Sequence, residues 1–177
     1  MGTDMYERKV FDEKGKTFYF RLDQHTCCKC KSGICSLDEI SLEELVMNYK
    51  IEENQSNPRN STDYCRTIAG MILRGEFKEP AKIIFNKECG HYSFDDGQHR
   101  TCCISKLKDK GVYINKEVLL REEKGDCYYC GRLSIINKKI KLFNEKNFLY
   151  RIRYKKKIKE LITEKQDFDK KFHLWKL

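Results

Sequence analysis

The chain has no apolar run long enough to cross a membrane as a helix. Its first residues, Met1 to Glu13, are polar and charged, so no secretory signal is expected there. These two absences predict a cytoplasmic protein with no membrane partner. The sequence also has no internal repeat and no low-complexity tract, which excludes solenoids and flexible linkers. No cluster of metal-binding carboxylates stands out. Charged residues make up 36% of the chain, yet aromatic residues at 12% argue against disorder. A length of 177 residues suits one domain with a real core.

Ten cysteines are many for this length. With no secretory signal, metal ligation or reduced thiols fit them better than disulfides. Two Cys-x-x-Cys pairs stand far apart, Cys27/Cys30 and Cys127/Cys130, the second followed by Gly131. Two thiolates on a tight turn are half of a tetrahedral zinc site. The spacing predicts one structural zinc held by Cys27, Cys30, Cys127 and Cys130, with Cys28, Cys35 or His25 as alternative ligands. Reduced cysteines in two turns are the plainer reading. Cys65, Cys102 and Cys103 fall on expected helices, where free cysteine packs as a small hydrophobe.

The net charge of +9 is local. From Ile136 to Leu177 there are 14 Lys/Arg and 5 Asp/Glu, a net of +9, and the preceding residues hold 22 of each. The run Arg151-Ile152-Arg153-Tyr154-Lys155-Lys156-Lys157 mixes cations with an aromatic, as nucleic-acid surfaces do. A solvated helix face accounts for the same run.

The pattern of elements is α+β. Lys16 to Leu22 reads as a strand with Phe18, Phe20 and Leu22 on one face. Ser41 and Glu44 form a capping box ahead of Leu42, Leu45 and Val46. A helix capped by Ser61 or Thr62 runs to about Arg74 and stops at Gly75. Ala81 to Phe85 and His91 to Phe94 pair through a turn at Asn86 to Gly90. A helix from Gln98 to Lys110 follows, capped by Asp96, with Ile104 and Leu107 buried. Glu117 to Arg121 is a strand, Asp126 to Arg132 a knuckle-like turn and Leu133 to Ile140 a further strand. A basic helix from Lys141 onward breaks near Asp167.

The junction Asp96-Gly97-Gln98-His99-Arg100 is the organising stretch. A glycine turn into a helix exposes unpaired N–H groups that favour anions. This pentapeptide resembles the Gly-x-x-Arg phosphate motif of the ParB/sulfiredoxin-like superfamily, in the Asp-Gly-Gln-His-Arg form of the DndB-like branch. Asn57-Pro58-Arg59 resembles that family's Pro-Arg element, and the resemblance covers roughly residues 36–122. It implies a ParB/sulfiredoxin-like nucleotide-binding core over 36–125. Residues 1–35 and 126–177 would then carry the two cysteine half-sites, the latter with a basic helical tail. By resemblance, Gly97, Gln98, His99, Arg100, Arg59 and Asp96 bind the phosphates and magnesium of ATP or CTP. The expected function is an NTPase or phosphotransferase in a DNA-related process, with Glu76 and Glu79 as candidate bases. A non-enzymatic DNA-binding regulator is the alternative, and a ParB-like nicking nuclease a weaker one. Gln98 stands where sulfiredoxins carry their reactive cysteine, which argues against sulfinic-acid reduction.

Overall fold

The computed structural model describes residues 5–22, 27–47 and 64–177. The Pro-Arg element, Arg59, His25 and the Ser61/Thr62 cap lie outside these residues. The chain is mixed α+β, built on a six-stranded sheet. In chain order the strands are β1 (Glu7–Val10), β2 (Thr17–Phe20), β3 (Ala81–Asn86), β4 (His91–Asp96), β5 (Glu117–Glu123) and β6 (His173–Lys176). The helices are α1 (Cys28–Ser32), α2 (Leu42–Met47), α3 (Tyr64–Leu73), α4 (Gln98–Asp109), α5 (Tyr128–Asn144), α6 (Phe148–Arg153) and α7 (Lys155–Lys171).

The spatial order of strands is β1-β5-β3-β4-β2-β6. β3 and β4 form an antiparallel hairpin, β5 lies parallel to β3, and β2 lies parallel to β4. The two outer strands were not expected. β1 pairs antiparallel with β5, and β6 with β2. Polar Glu7-Arg8-Lys9 gives no strand pattern, but an edge strand needs only backbone pairing and carries charge well. All four residues of β1 are exposed.

Alternation along β2 sends Phe18 and Phe20 to one face and Tyr19 to the other. Phe18, Phe20, Leu22, Ala81, Ile83 and Val118 form one buried cluster, against which Cys102 of α4 packs. A second cluster joins Leu45, Ile68, Ala69, Ile72, Cys103 and Leu107, sealing α2 and α3 onto α4. Tyr19 instead meets Tyr128, Tyr129 and Phe172, so α5 and the end of α7 cover the other face.

The capping box forms as expected: Ser41 Oγ accepts from the Glu44 N–H at 3.1 Å, and Glu44 returns to the Ser41 N–H at 3.0 Å. Val46, expected in the buried stripe, is exposed. Leu133 to Ile140 is not a strand but the middle of α5. Leu133, Ile136 and Ile140 recur at i, i+3 and i+7, a helical face, although isoleucine favours strands. The C-terminal helix breaks before α6 and again at Tyr154 rather than near Asp167, which lies inside α7. Among the described residues, no helix is long and apolar enough to cross a membrane.

Candidate functional site

Two sites emerge, at opposite ends of β4. The first is a cysteine–histidine cluster. The β3–β4 turn carries Cys89, and His91 opens β4. The buried Asn86 amide holds this turn by donating to the His91 carbonyl at 3.0 Å and to Ser93 Oγ at 2.9 Å. Because β5 is parallel to β3, with Asn86 beside Glu123, the segments leaving both strands meet. The Lys87 N–H bonds the Glu123 carbonyl at 3.0 Å, and the Glu88 N–H bonds that of Gly125 at 3.2 Å. The chain then turns so that Cys127 precedes α5 and Cys130 sits in its first turn.

The ligand atoms of Cys89, His91, Cys127 and Cys130 all lie within 4.8 Å of one another. His91 Nδ1 is 3.3 Å from Cys130 Sγ and 4.0 Å from Cys127 Sγ. A tetrahedral zinc with its usual bond lengths needs ligand separations of roughly 3.5–3.8 Å. The four groups therefore fit, and the cluster can hold a metal ion such as zinc. The Cys127 N–H donates to Cys89 Sγ at 3.2 Å, which favours a thiolate there. Burial raises the Cys127 thiol, and burial with the Cys127 charge pushes Cys130 up to about 12. A divalent cation among the sulfurs reverses both effects.

This corrects the ligand set expected from sequence. Cys127 and Cys130 belong to the cluster, but their partners are Cys89 and His91 rather than Cys27 and Cys30. The reason is strand direction. β2 runs parallel to β4, so the chain leaving β2 emerges beside Gln98, whose Oε1 accepts from the Arg21 N–H at 3.0 Å. Cys27 and Cys30 follow on from that end, whereas His91 begins the other. They pack against the sheet core instead, with Cys30 Sγ 3.4 Å from the Leu22 carbonyl. Cys28 and Cys35, proposed as substitutes, line a cavity with Cys27. The signal that sequence reasoning passed over is Cys89-Gly90-His91, two ligand types flanking a turn glycine.

The second site is the Asp96–Arg100 junction. Gly97 has φ +90°, and a β-carbon there would meet Ala81 Cβ at 2.6 Å and Ala81 Cα at 2.9 Å. Only glycine lets the start of α4 press this closely on β3. Asp96 does not cap the helix: Gly97 is the cap residue, and among the described residues no side chain caps the first turn. The Asp96 carboxylate accepts instead from Arg100, whose guanidinium also donates to the Glu79 carbonyl and lies 4.9 Å from the Phe77 ring centre. Arg100 is only 8% exposed, so it braces the junction from within. His99 Nδ1 lies 3.4 Å from Cys65 Sγ, and its ring meets Tyr64 edge-on at 4.9 Å.

These residues still line a common space. A cleft of about 670 Å³ is bounded by Arg21, Tyr64, Ile68, Phe77, Glu79 and Phe94 together with Asp95 to Arg100. It carries the Arg100 guanidinium, an imidazole and three carboxylates beside aromatic rings. The Arg21 guanidinium lies instead 5.7 Å from the Tyr19 and Tyr128 ring centres, on the other face of the sheet. Glu76, a candidate base, is instead held by both arms of Arg74, at 2.6 and 2.9 Å.

The basic run spans the α6–α7 joint. Arg151, Arg153, Lys155, Lys156 and Lys157 are exposed. Tyr154 is not available for stacking on a base, because its ring packs on Tyr150 at 4.3 Å and Phe143 at 5.7 Å. Lys155 to Lys157 occupy the first turn of α7, which contains no acidic residue. No protein-family model, curated protein or solved structure matches this chain.

Proposed function

We propose that this chain is a nucleoside-triphosphate-binding protein whose ligand occupies the cleft at the start of α4. The observation that carries this reading is the cleft itself: about 670 Å³ around the whole Asp96–Arg100 motif, within the range of small-molecule sites. The uncapped first turn of α4 offers backbone N–H groups and the positive end of a helix dipole to phosphate. Arg100 adds charge beneath the turn, His99 offers a ring nitrogen, and Asp95 or Asp96 offers oxygen to magnesium. Tyr64, Phe77 and Phe94 provide aromatic surface for a base. The resemblance to ParB/sulfiredoxin-like proteins points the same way, toward ATP or CTP and toward hydrolysis or phosphoryl transfer. In this reading zinc occupies the Cys89/His91/Cys127/Cys130 cluster and clips α5 to the β3–β4 hairpin.

Calorimetry of the zinc-loaded protein with ATP, CTP and GTP in magnesium tests the proposal. His99→Ala is the informative variant, since His99 lines the cleft from the first turn of α4 whereas Arg100 is structural. Loss of one charged hydrogen bond of about 1.5–3 kcal/mol weakens binding roughly 10- to 100-fold. Absence of binding by the wild type at millimolar nucleotide defeats the reading. Phosphate release then separates turnover from binding alone.

A second reading, a DNA-binding regulator, draws on α7. Three lysines in its first turn oppose the helix dipole, a cost of a few tenths of a kcal/mol each. A polyanion laid across them relieves that repulsion. The two readings are compatible, with nucleotide in the cleft and DNA along the tail.

A further inference from the structure

Seven of the ten cysteines lie away from the metal cluster or its edge, and six of them open on one cavity. That cavity has a volume of about 140 Å³ and separates α1 from α3 and α4. Within it, Cys65 at the start of α3 faces two groups of α4. His99 Nδ1 is 3.4 Å from its sulfur. The Cys103 thiol lies one helical turn further on, 3.4 Å from the Cys65 carbonyl and in contact with its sulfur. Cys65 is partly exposed, and Cys103 is fully buried. A nucleophilic thiol beside an imidazole, with a second thiol behind it, is more than packing requires.

We propose that Cys65 is an oxidation site: a thiolate that reacts with a hydroperoxide and is resolved by Cys103 to a Cys65–Cys103 disulfide. The proposal is independent of nucleotide binding.

The charges are arranged for it. Cys103 donates to the Cys65 sulfur, and His99 adds a hydrogen bond and positive charge, so the Cys65 thiol is lowered to about 5 despite burial. Cys103 moves the other way, raised by that same hydrogen bond and by burial, and so keeps its proton. Lys29, Lys106 and Asp109 stand at the margin of the same cavity. A space of about 140 Å³ admits a few water-sized molecules, and thus a small peroxide but no peptide.

The steps balance. The Cys65 thiolate attacks one peroxide oxygen and the O–O bond breaks. Cys65 becomes a sulfenic acid, and the departing oxygen takes a proton from solvent to leave as water or an alcohol. Cys103 then attacks the sulfenic sulfur. An S–S bond forms, the S–O bond breaks, and hydroxide leaves as water with the Cys103 proton. Two thiols are oxidised by two electrons and one hydroperoxide is reduced.

The test uses the full, zinc-loaded chain. At about pH 5.5 an ordinary thiol is on the order of 0.1% thiolate, whereas Cys65 is mostly ionised. Even allowing for the lower nucleophilicity of an acidic thiol, iodoacetamide should label Cys65 at least about tenfold faster than Cys28. Hydrogen peroxide should yield a Cys65–Cys103 disulfide in the non-reduced digest. In Cys103→Ser the reaction should stop at a sulfenic acid on Cys65, captured by dimedone. His99→Ala should abolish the labelling advantage at pH 5.5. The wild-type digest decides the matter even if a variant misfolds. A disulfide only between Cys27 and Cys30, or equal labelling of Cys65 and Cys28, overturns the proposal. So does a second equivalent of zinc that is lost in Cys65→Ser, which makes Cys65 a ligand instead.

Discussion

Replacing Gly97 by alanine separates two costs that the structure places on one residue. The first is conformational. At φ +90° an L side chain sits in the left-handed region, which costs about 1–2 kcal/mol. The second is steric. The new methyl would lie 2.6 Å from Ala81 Cβ and 2.9 Å from Ala81 Cα, and the latter is backbone of a central strand that cannot swing away. Forcing a methyl into such a contact costs a further 1–3 kcal/mol or so. The total is about 2–5 kcal/mol, a large part of an ordinary domain's stability. For a chain of this size that is a fall of roughly 4–20 °C in Tm. Gly111→Ala is the control. Gly111 has φ +83° with nothing within 4 Å of the added carbon, so it meets only the first cost. Both changes reduce the entropy of the unfolded chain equally, and that term cancels in the difference. Urea unfolding of both variants, with saturating zinc, gives the comparison. Gly97→Ala should be the less stable by about 1–3 kcal/mol. Equal costs would refute the close approach of α4 to β3, and with it the shape of the cleft.

Zinc content should fall from one equivalent to none in His91→Ala and in Cys130→Ser, and stay unchanged in Cys27→Ser plus Cys30→Ser. Elemental analysis of protein purified without chelator checks this, and loss of zinc in the Cys27/Cys30 variant rules the cluster out. Lys155→Ala, Lys156→Ala and Lys157→Ala together should lower the slope of log affinity for DNA against log salt by about 2–3, since each phosphate contact contributes about 0.9. Thermal stability should hold or rise slightly as dipole repulsion is removed. Lys106 lies 2.7 Å from Asp38 and holds its carboxyl below the ordinary 3.8. That pair therefore stabilises the fold above about pH 4, and its contribution fades as pH falls below that. Both side chains are partly exposed, so Asp38→Asn should cost less than about 1 kcal/mol at neutral pH and nothing in strong acid, read from urea midpoints.

What the sequence determined by itself is the local structure. The Ser41/Glu44 box, the β3–β4 hairpin and the Gly97 entry into α4 are all set by residues within a few positions of each other, so spacing and residue type suffice. The face of β2 bearing Phe18 and Phe20 is legible for the same reason. Tertiary structure decided the rest. β6 exists because its backbone pairs with β2, some 150 residues earlier in the chain, and nothing in His173 to Lys176 announces that partner. Leu133 to Ile140 became helix because Tyr19 and the aromatic residues of α7 offered α5 a surface, and packing outweighs the modest strand preference of isoleucine. The metal ligands show the same division. Cys127-x-x-Cys130 reads directly as half a site, but the other half depends on strand direction. A parallel β3–β5 pair brings the turn bearing Cys89 and His91 to the start of α5, while a parallel β2–β4 pair carries Cys27 and Cys30 to the opposite end of the sheet. Spacing specifies which residues can chelate together; only the register and direction of the strands specify which of them meet.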